Sequence, residues 1–572
     1  MKDISVDKIA FSKVERKFQS KFEKDLYENS KTGIPGEVLD SSPIPTLTIE
    51  GGLEPYTGPW DDQAVIHFLR RLSYGVRKED LVRFKNMSLD QAIDEMVRTS
   101  PEPEAPKNYY NNDDFTDPNV PFGSTWVNEP FSGDAASPRV VSLKKWLIQL
   151  MIEQEATIHE KMVHFWHNHL VVQLWDAYMP EASYRHFTTL RRNALGNFKT
   201  LMREMTTDTS MLVYLNGFVN SKEAPDENYA RELQELFCIG KGPNANFTET
   251  DVQAAARVLT GWTIQWPDRI SVWNHWAHDI EDKQFSSFYN NTVITGRAGA
   301  AGQEEVDDLM DMLFDNDETA LFICRKIYSY FIYSEISEQA ERDVIQPLAI
   351  ILRDNNYEMM PVLKTLFKSA HFFDAEIRSA QIKSPVDFLV GFWRTTDVKI
   401  PAHWDKYQEG LVYNTMIWNM SDMGQQVGDP PNVAGYPAYY QTPIFDKSWI
   451  TTDTITTRAL DTDSFIFWGF WTPQENLNVD LIDFVRLFDN PKDPNDLINE
   501  AFMLCCGLTP SERVREQFKN ILLSNQATDS YWLDAWVNFE ADPNNVNKRN
   551  LVESRLMNMF RRLFQLAEFQ LA

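Results

Sequence analysis

The chain is poor in the features that usually identify a protein early. Its 572 residues include four cysteines, Cys238, Cys324, Cys505 and Cys506. None has the CxxC spacing of a metal site, and the one close pair is adjacent, which seldom bridges, so no disulfide framework is expected. No run of about 18 apolar residues occurs, which argues against a membrane-spanning helix. The opening MKDISVDKIAFSKVERKFQS lacks an apolar core and a cleavage site, so no signal peptide is expected. The expectation is a cytoplasmic protein, with cell-envelope association left open. Positive charge is scarce, 55 Lys and Arg against 83 Asp and Glu, for a net charge of -28. Such a surface repels nucleic acid and anionic lipid. GxGxxG, GKS/GKT and GxSxG are absent, so no nucleotide cofactor and no serine-hydrolase elbow is expected. HEKMVH resembles a zincin helix but spaces His159 and His164 five apart, not four, and is rejected.

What is present is mostly helical. Residues 1–58 read as an extended amino-terminal arm, charged at first and then rich in Pro and Gly. Residues 59–572 read as a mainly α multi-helix domain, or as two packed halves, 59–302 and 303–572. AVIHFLRRLSYG has helical apolar spacing and a candidate cap at Gly75. Residues 101–138, rich in Pro, Asn and Asp, read as a long surface loop of the kind that is often functional. Helices are expected at 139–155, 157–173 and 184–205, and Thr248 with Asp251 marks a capping box. Residues 263–302 and 397–457 read as irregular insertions, the first with a small β-hairpin at NTVITG. Helices fill 304–394 and the remainder to 572.

KMVHFWHNHLVV, residues 161–172, concentrates the chemistry. At about 100° per residue, Met162, Phe165, Trp166 and Leu170 share a face. His169 points into its middle, His167 lies at its border, and His164 and Asn168 project from the polar side. His167 and His169 diverge by about 200° on an unbroken helix. A histidine set among apolar groups must be neutral and hydrogen-bonded, or bound to metal. In DENYARELQELFCIG, Asn228, Glu232 and Glu235 form a stripe able to present oxygen ligands. Arg231 beside it would equally make a solvated ion-pair face. VWNHWAHDIEDK adds His275, His278 and Asp279, a candidate ligand or base pair. PPNVAGYP, followed by Tyr439, Tyr440 and Trp449, could line a pocket.

Taken together, several of these segments resemble one family. They are FWHNH, the P-D-E-N-Y-A-R-E-L-x-E-L-F-x-x-G run at 225–240, and T-E-x-D-V-x-A-A-A-R-x-L-T-G-W at 248–262. H-x-x-x-R-x-x-Y-G at 67–75, His278-Asp279, P-P-N-V-A-G-Y-P at 430–437, Trp449 and Arg458 agree with it. The chain is similar to the bacterial "domain of unknown function" family numbered 1800, from about residue 60 onward and most strongly to the 450s. The resemblance implies a mainly helical fold and no established reaction. It also implies a pathway shared with sulfatase-like proteins, which would make one of these a partner. It places His167, His169, Glu232, Glu235, His278 and Asp279 on motif positions and leaves His164 and His275 outside, while Asp226 departs from the motif.

Two functions are expected to compete. In the first, His167, His169, Glu232, His278 and Asp279 hold a divalent metal, zinc or iron, and Glu235 or Glu160 serves as base. That would make a metal-dependent enzyme, with hydrolysis favoured over iron or copper oxidation. In the second, the same groups form a buried polar network in a binding or scaffolding protein, and aromatic loops meet a protein or glycan. Convergence of the metal set on one point discriminates between them.

Overall fold

A computed structural model describes residues 51–266, 268–472 and 475–572. Most of the arm expected at 1–58 lies outside them; its end, residues 51–58, pairs with 368–371 through Tyr56 N–H to Lys368 O at 2.9 Å and Ala370 N–H to Glu54 O at 2.7 Å. The described part is mainly α, as its apolar periodicity requires. The helices that build the functional regions are labelled here in chain order. They are α1 (Asp62–Leu72), α2 (Gly133–Glu153), α3 (His159–His169) and α4 (Pro180–Arg192). Next come α5 (Asn228–Glu232), α6 (Glu249–Val258), α7 (Glu305–Asp315), α8 (Asp317–Phe331), α9 (Pro385–Thr395), α10 (Lys406–Asp422) and α11 (Thr452–Asp463). Among the described residues no helix is long and apolar enough to cross a membrane.

Local signals set several of these boundaries. Asp61 caps α1 by accepting from Ala64 N–H, and Thr248–Asp251 closes the expected capping box on α6. The run expected at 184–205 is two helices, because Asn197 caps a fresh one at Phe198. Gly75 is not the cap of α1, which ends at Leu72. Instead its φ of +69° lets the backbone pass α9 so closely that a Cβ would sit 2.5 Å from Gly391 O. Small antiparallel hairpins, β1 (Trp262–Gln265) with β2 (Ile270–Trp273) and β3 (Lys283–Gln284) with β4 (Val293–Ile294), occupy the first insertion, NTVITG supplying β4. The second insertion was expected to be irregular, yet it contains the 17-residue α10. There Leu411, Val412, Met416, Ile417 and Trp418 surround the axis instead of forming one stripe, so periodicity hides the helix.

A large apolar core runs through the described residues beside a small cluster of Tyr436, Ala438 and Trp449, and α3 is buried within the large one. Every residue of α3 is buried, including four histidines, Glu160, Lys161 and Asn168. A helix polar on several sides yet buried on all of them must place each polar group against a partner, since an unmatched one costs roughly 1–3 kcal/mol.

Candidate functional site

The partners of α3 radiate in different directions. Glu160 pairs with Arg191 of α4. Lys161 reaches Asp387 of α9 at 2.8 Å. His164 accepts from the Gln425 amide at 3.0 Å, and Asn168 Oδ1 accepts from Tyr436 N–H at 2.9 Å. His167 Nε2 donates to Val172 O at 3.1 Å and its ring stacks on Phe187. His169 Nε2 donates to Phe237 O at 3.0 Å, among the rings of Phe165, Phe198 and Phe322. Burial above all lowers His169 to about 3 and His164 to about 4. His159 is lowered to about 4, again mainly by burial. These rings are neutral at physiological pH.

The remaining expected ligands lie elsewhere. His278 is buried between α6 and α7, its Nδ1 facing Thr260 O at 2.8 Å and its Nε2 facing Glu305 Oε1 at 3.0 Å. Each ring nitrogen thus faces a protein oxygen, and the Thr260 hydroxyl also lies 3.2 Å from Nδ1. Lys283 completes this knot at 2.6 Å from Glu305, all three side chains being shut off from water. Asp279 is clamped by Arg257 at 2.7 and 3.2 Å. Glu232 is partly exposed, its pKa raised first by burial and then by Glu235. Glu235 pairs with Lys241 at 2.6 Å, and Arg231 binds Glu227 and Glu249, so the stripe acts as an ion-pair face. Burial raises the pKa of Glu160 even against Arg191.

The convergence expected from the sequence is not present among the described residues. As placed, His167, His169, Glu232, His278 and Asp279 do not meet, and they do not fit one ion; Glu160 and Glu235 are likewise apart and ion-paired. Among the described residues no three His, Cys, Asp or Glu side chains are arranged to hold a metal. The physical reason is that these side chains turn to separate partners, Val172 O, Phe237 O, Glu305 and Arg257, in different parts of the fold.

A different region has the shape of a binding site. A cleft of about 320 Å³ opens between α2, α10 and the loop at 103–110. The loop, expected as a surface segment, is held firmly. Arg139 of α2, fully buried, binds Asp117 at 2.9 Å and Glu181 at 2.5 Å, and Tyr110 donates to Asp117 at 2.8 Å. Trp146 donates to Glu104 O at 2.8 Å and fixes the near end. The wall is aromatic, with Trp146, Tyr109, Tyr110 and Tyr413. Most of its charges pair locally, Lys107 with Glu104 and Lys406 with Glu409, each at 2.6 Å. Lys145 does not. Burial alone lowers its pKa to about 8, with no neighbouring charge entering. Its ammonium lies over Gly410 of α10, 3.5 Å from where a Cβ would be, an ordinary contact distance.

Sequence reasoning missed this cleft. Lys144 and Lys145 are identical neighbours in LKKW, yet Lys144 turns inward to Asp429 and Lys145 does not. Nothing local separates them, because the opposing walls are supplied by residues 103–110 and 406–413. A family model described as "Protein of unknown function (DUF1800)" matches residues 67–571. No curated protein and no solved structure matches.

Proposed function

The chain belongs to this family, DUF1800, whose description assigns no reaction, and from that premise we propose that it binds a small organic anion in the α2–α10 cleft. The observation that carries this reading is Lys145, a cation without a partner in an aromatic-walled cavity whose other two lysines are paired, with Glu153 at its exposed edge accepting from Gln149. A concave site with a few convergent polar groups and one perturbed titration is the ordinary form of a ligand pocket. An incoming carboxylate or sulfate ester would supply the missing charge, and a ring attached to it would lie against Trp146 and Tyr413. The sulfate ester agrees with the sulfatase-like neighbours that the resemblance implies. With a pKa of about 8 the amine is also neutral in roughly a tenth of molecules at pH 7, so it has the character of a base or nucleophile.

The test is a thermal-shift panel of aryl carboxylates, uronic acids and aryl sulfates, each beside its neutral counterpart, on wild type and Lys145→Met. Stabilisation confined to anions and lost in the variant supports the reading. Equal response to neutral and anionic compounds, or an unchanged response in the variant, contradicts it.

Metal-dependent hydrolysis, the reaction favoured from the sequence, would require His167, His169, Glu232, His278 and Asp279 to converge on one ion. Elemental analysis of purified protein beside His169→Ala tests that directly. Near-stoichiometric zinc or iron, lost in the variant, would restore the hydrolase or oxidase reading.

A further inference from the structure

A second concentration of charge lies inside the core, independent of the cleft. Where α1, α3 and α9 approach residues 569–572, a cavity of about 30 Å³ is bordered by Arg71, Lys161, Lys383, Asp387, Tyr439 and Asp446. A neighbouring void of about 10 Å³ shares Lys383 and Asp387 and adds Arg70. The side chains lining the pair are thus four cations and two carboxylates, and the carboxylate of Ala572, which borders both, leaves one positive charge in excess.

The carboxylates are already committed. Asp446 accepts from Ser334 OH at 2.9 Å and from Ile382 N–H at 2.8 Å. Asp387 accepts from Ser384 OH at 2.9 Å and pairs with Lys161 at 2.8 Å. The other cations lean on neutral oxygens. Arg71 donates to Gln381 Oε1 at 2.6 Å and to Ile332 O, and Lys383 donates to Phe569 O at 2.6 Å. Arg70 donates to the carbonyls of Cys506 and Leu571. Arg71 Nε, in a side chain only 3% exposed, has no hydrogen-bond partner. Carbonyl dipoles do not neutralise a buried ion, and excess charge in a core is destabilising.

We infer that the cavity among Arg71, Lys161 and Lys383 is a binding site for one monatomic halide, chloride in physiological media. A volume of about 30 Å³ holds roughly two water-sized centres, room for a halide and too little for a tetrahedral oxyanion. The halide would face Arg71 Nε, which has no other partner, and would offset the cation excess. In its absence, burial and the nearby Arg70 drive Lys383 well below its ordinary range, toward the neutral amine. A bound anion acts in the opposite sense.

The experiment uses the full chain dialysed into gluconate buffer. Its thermal midpoint is followed as chloride, bromide or sulfate replaces gluconate at constant ionic strength. A saturable rise with chloride and bromide but not sulfate, abolished in Arg71→Gln, is expected. A midpoint indifferent to halide overturns the site. Should Arg71→Gln fail to fold, bromide-grown crystals of wild type decide the matter: an anomalous peak in the cavity is expected, and water alone there overturns the inference.

Discussion

Acidification from pH 7 to pH 5 is predicted to weaken the fold through its central helix. His159, His164 and His169 are held neutral, with values of about 4, 4 and 3, mainly because they are buried. An unfolded histidine protonates near 6.5, so between that value and the native ones the unfolded chain binds more protons. Stability is therefore fully present above about pH 6.5 and declines as pH falls. At pH 5 each histidine removes about 2 kcal/mol, and the three together about 6 kcal/mol. Buried carboxylates whose values are raised, among them Glu160, Asp429 and Asp463, oppose them, and Asp461 does so most clearly. Asp461 is raised to about 7, by burial first and by Asp422 second. Its native state holds the proton that the unfolded state releases, so the same acidification relieves about 2 kcal/mol. Against Asp461 the three histidines lead by about 3–4 kcal/mol, a large part of the 5–15 kcal/mol typical of a folded protein, and buried His67 and His167, lowered mainly by burial, act in the same sense. Urea unfolding followed by tryptophan fluorescence at pH 7, 6 and 5 measures the loss. His164→Gln, which keeps a polar group for Gln425, should remove about a third of the histidine contribution. Midpoints that do not move between pH 7 and 5 would refute the assignment of these rings as neutral core groups.

Three substitutions follow from the same contacts. Glu305→Ala leaves His278 and Lys283 buried without their shared carboxylate and should destabilise by about 3–5 kcal/mol, read in urea unfolding and in faster proteolysis of residues 260–300. Gly435→Ala places a Cβ 2.5 Å from Asn168 O at a φ of +93°, so a loss of about 2 kcal/mol or more is expected, with an unchanged midpoint contradicting the packing. Gly410→Ala, by contrast, meets Lys145 only at ordinary contact distance and should stabilise α10 by up to about 1 kcal/mol without displacing the amine; a destabilised variant in urea unfolding would contradict the packing.

The extent to which this structure could be read from its sequence depended on the distance over which each signal acts. His169 within an apolar face is a local fact, and the ring does sit among Phe165, Phe198 and Phe322. The capping box at Thr248 and the strand in NTVITG are equally local and are present. The partner of His169, Phe237 O, lies 68 residues away, and that of His278, Glu305, lies 27 away. No local pattern distinguishes a nitrogen facing such an oxygen from one facing an ion. The helix at 406–422 was hidden because it is apolar on several sides. The cleft was hidden because three distant segments build it, and because the decisive property of Lys145 is the charge that its surroundings lack.

The pH titration of the Lys145 amine tests the central reading most directly. Site-resolved reductive methylation of the intact protein, quantified across pH 6–11, reports its pKa against the surface lysines as internal controls. The cleft predicts half-protonation at about 8, moving upward when an anionic ligand binds. A Lys145 that titrates with the surface lysines near 10.4, with or without ligand, would contradict the account.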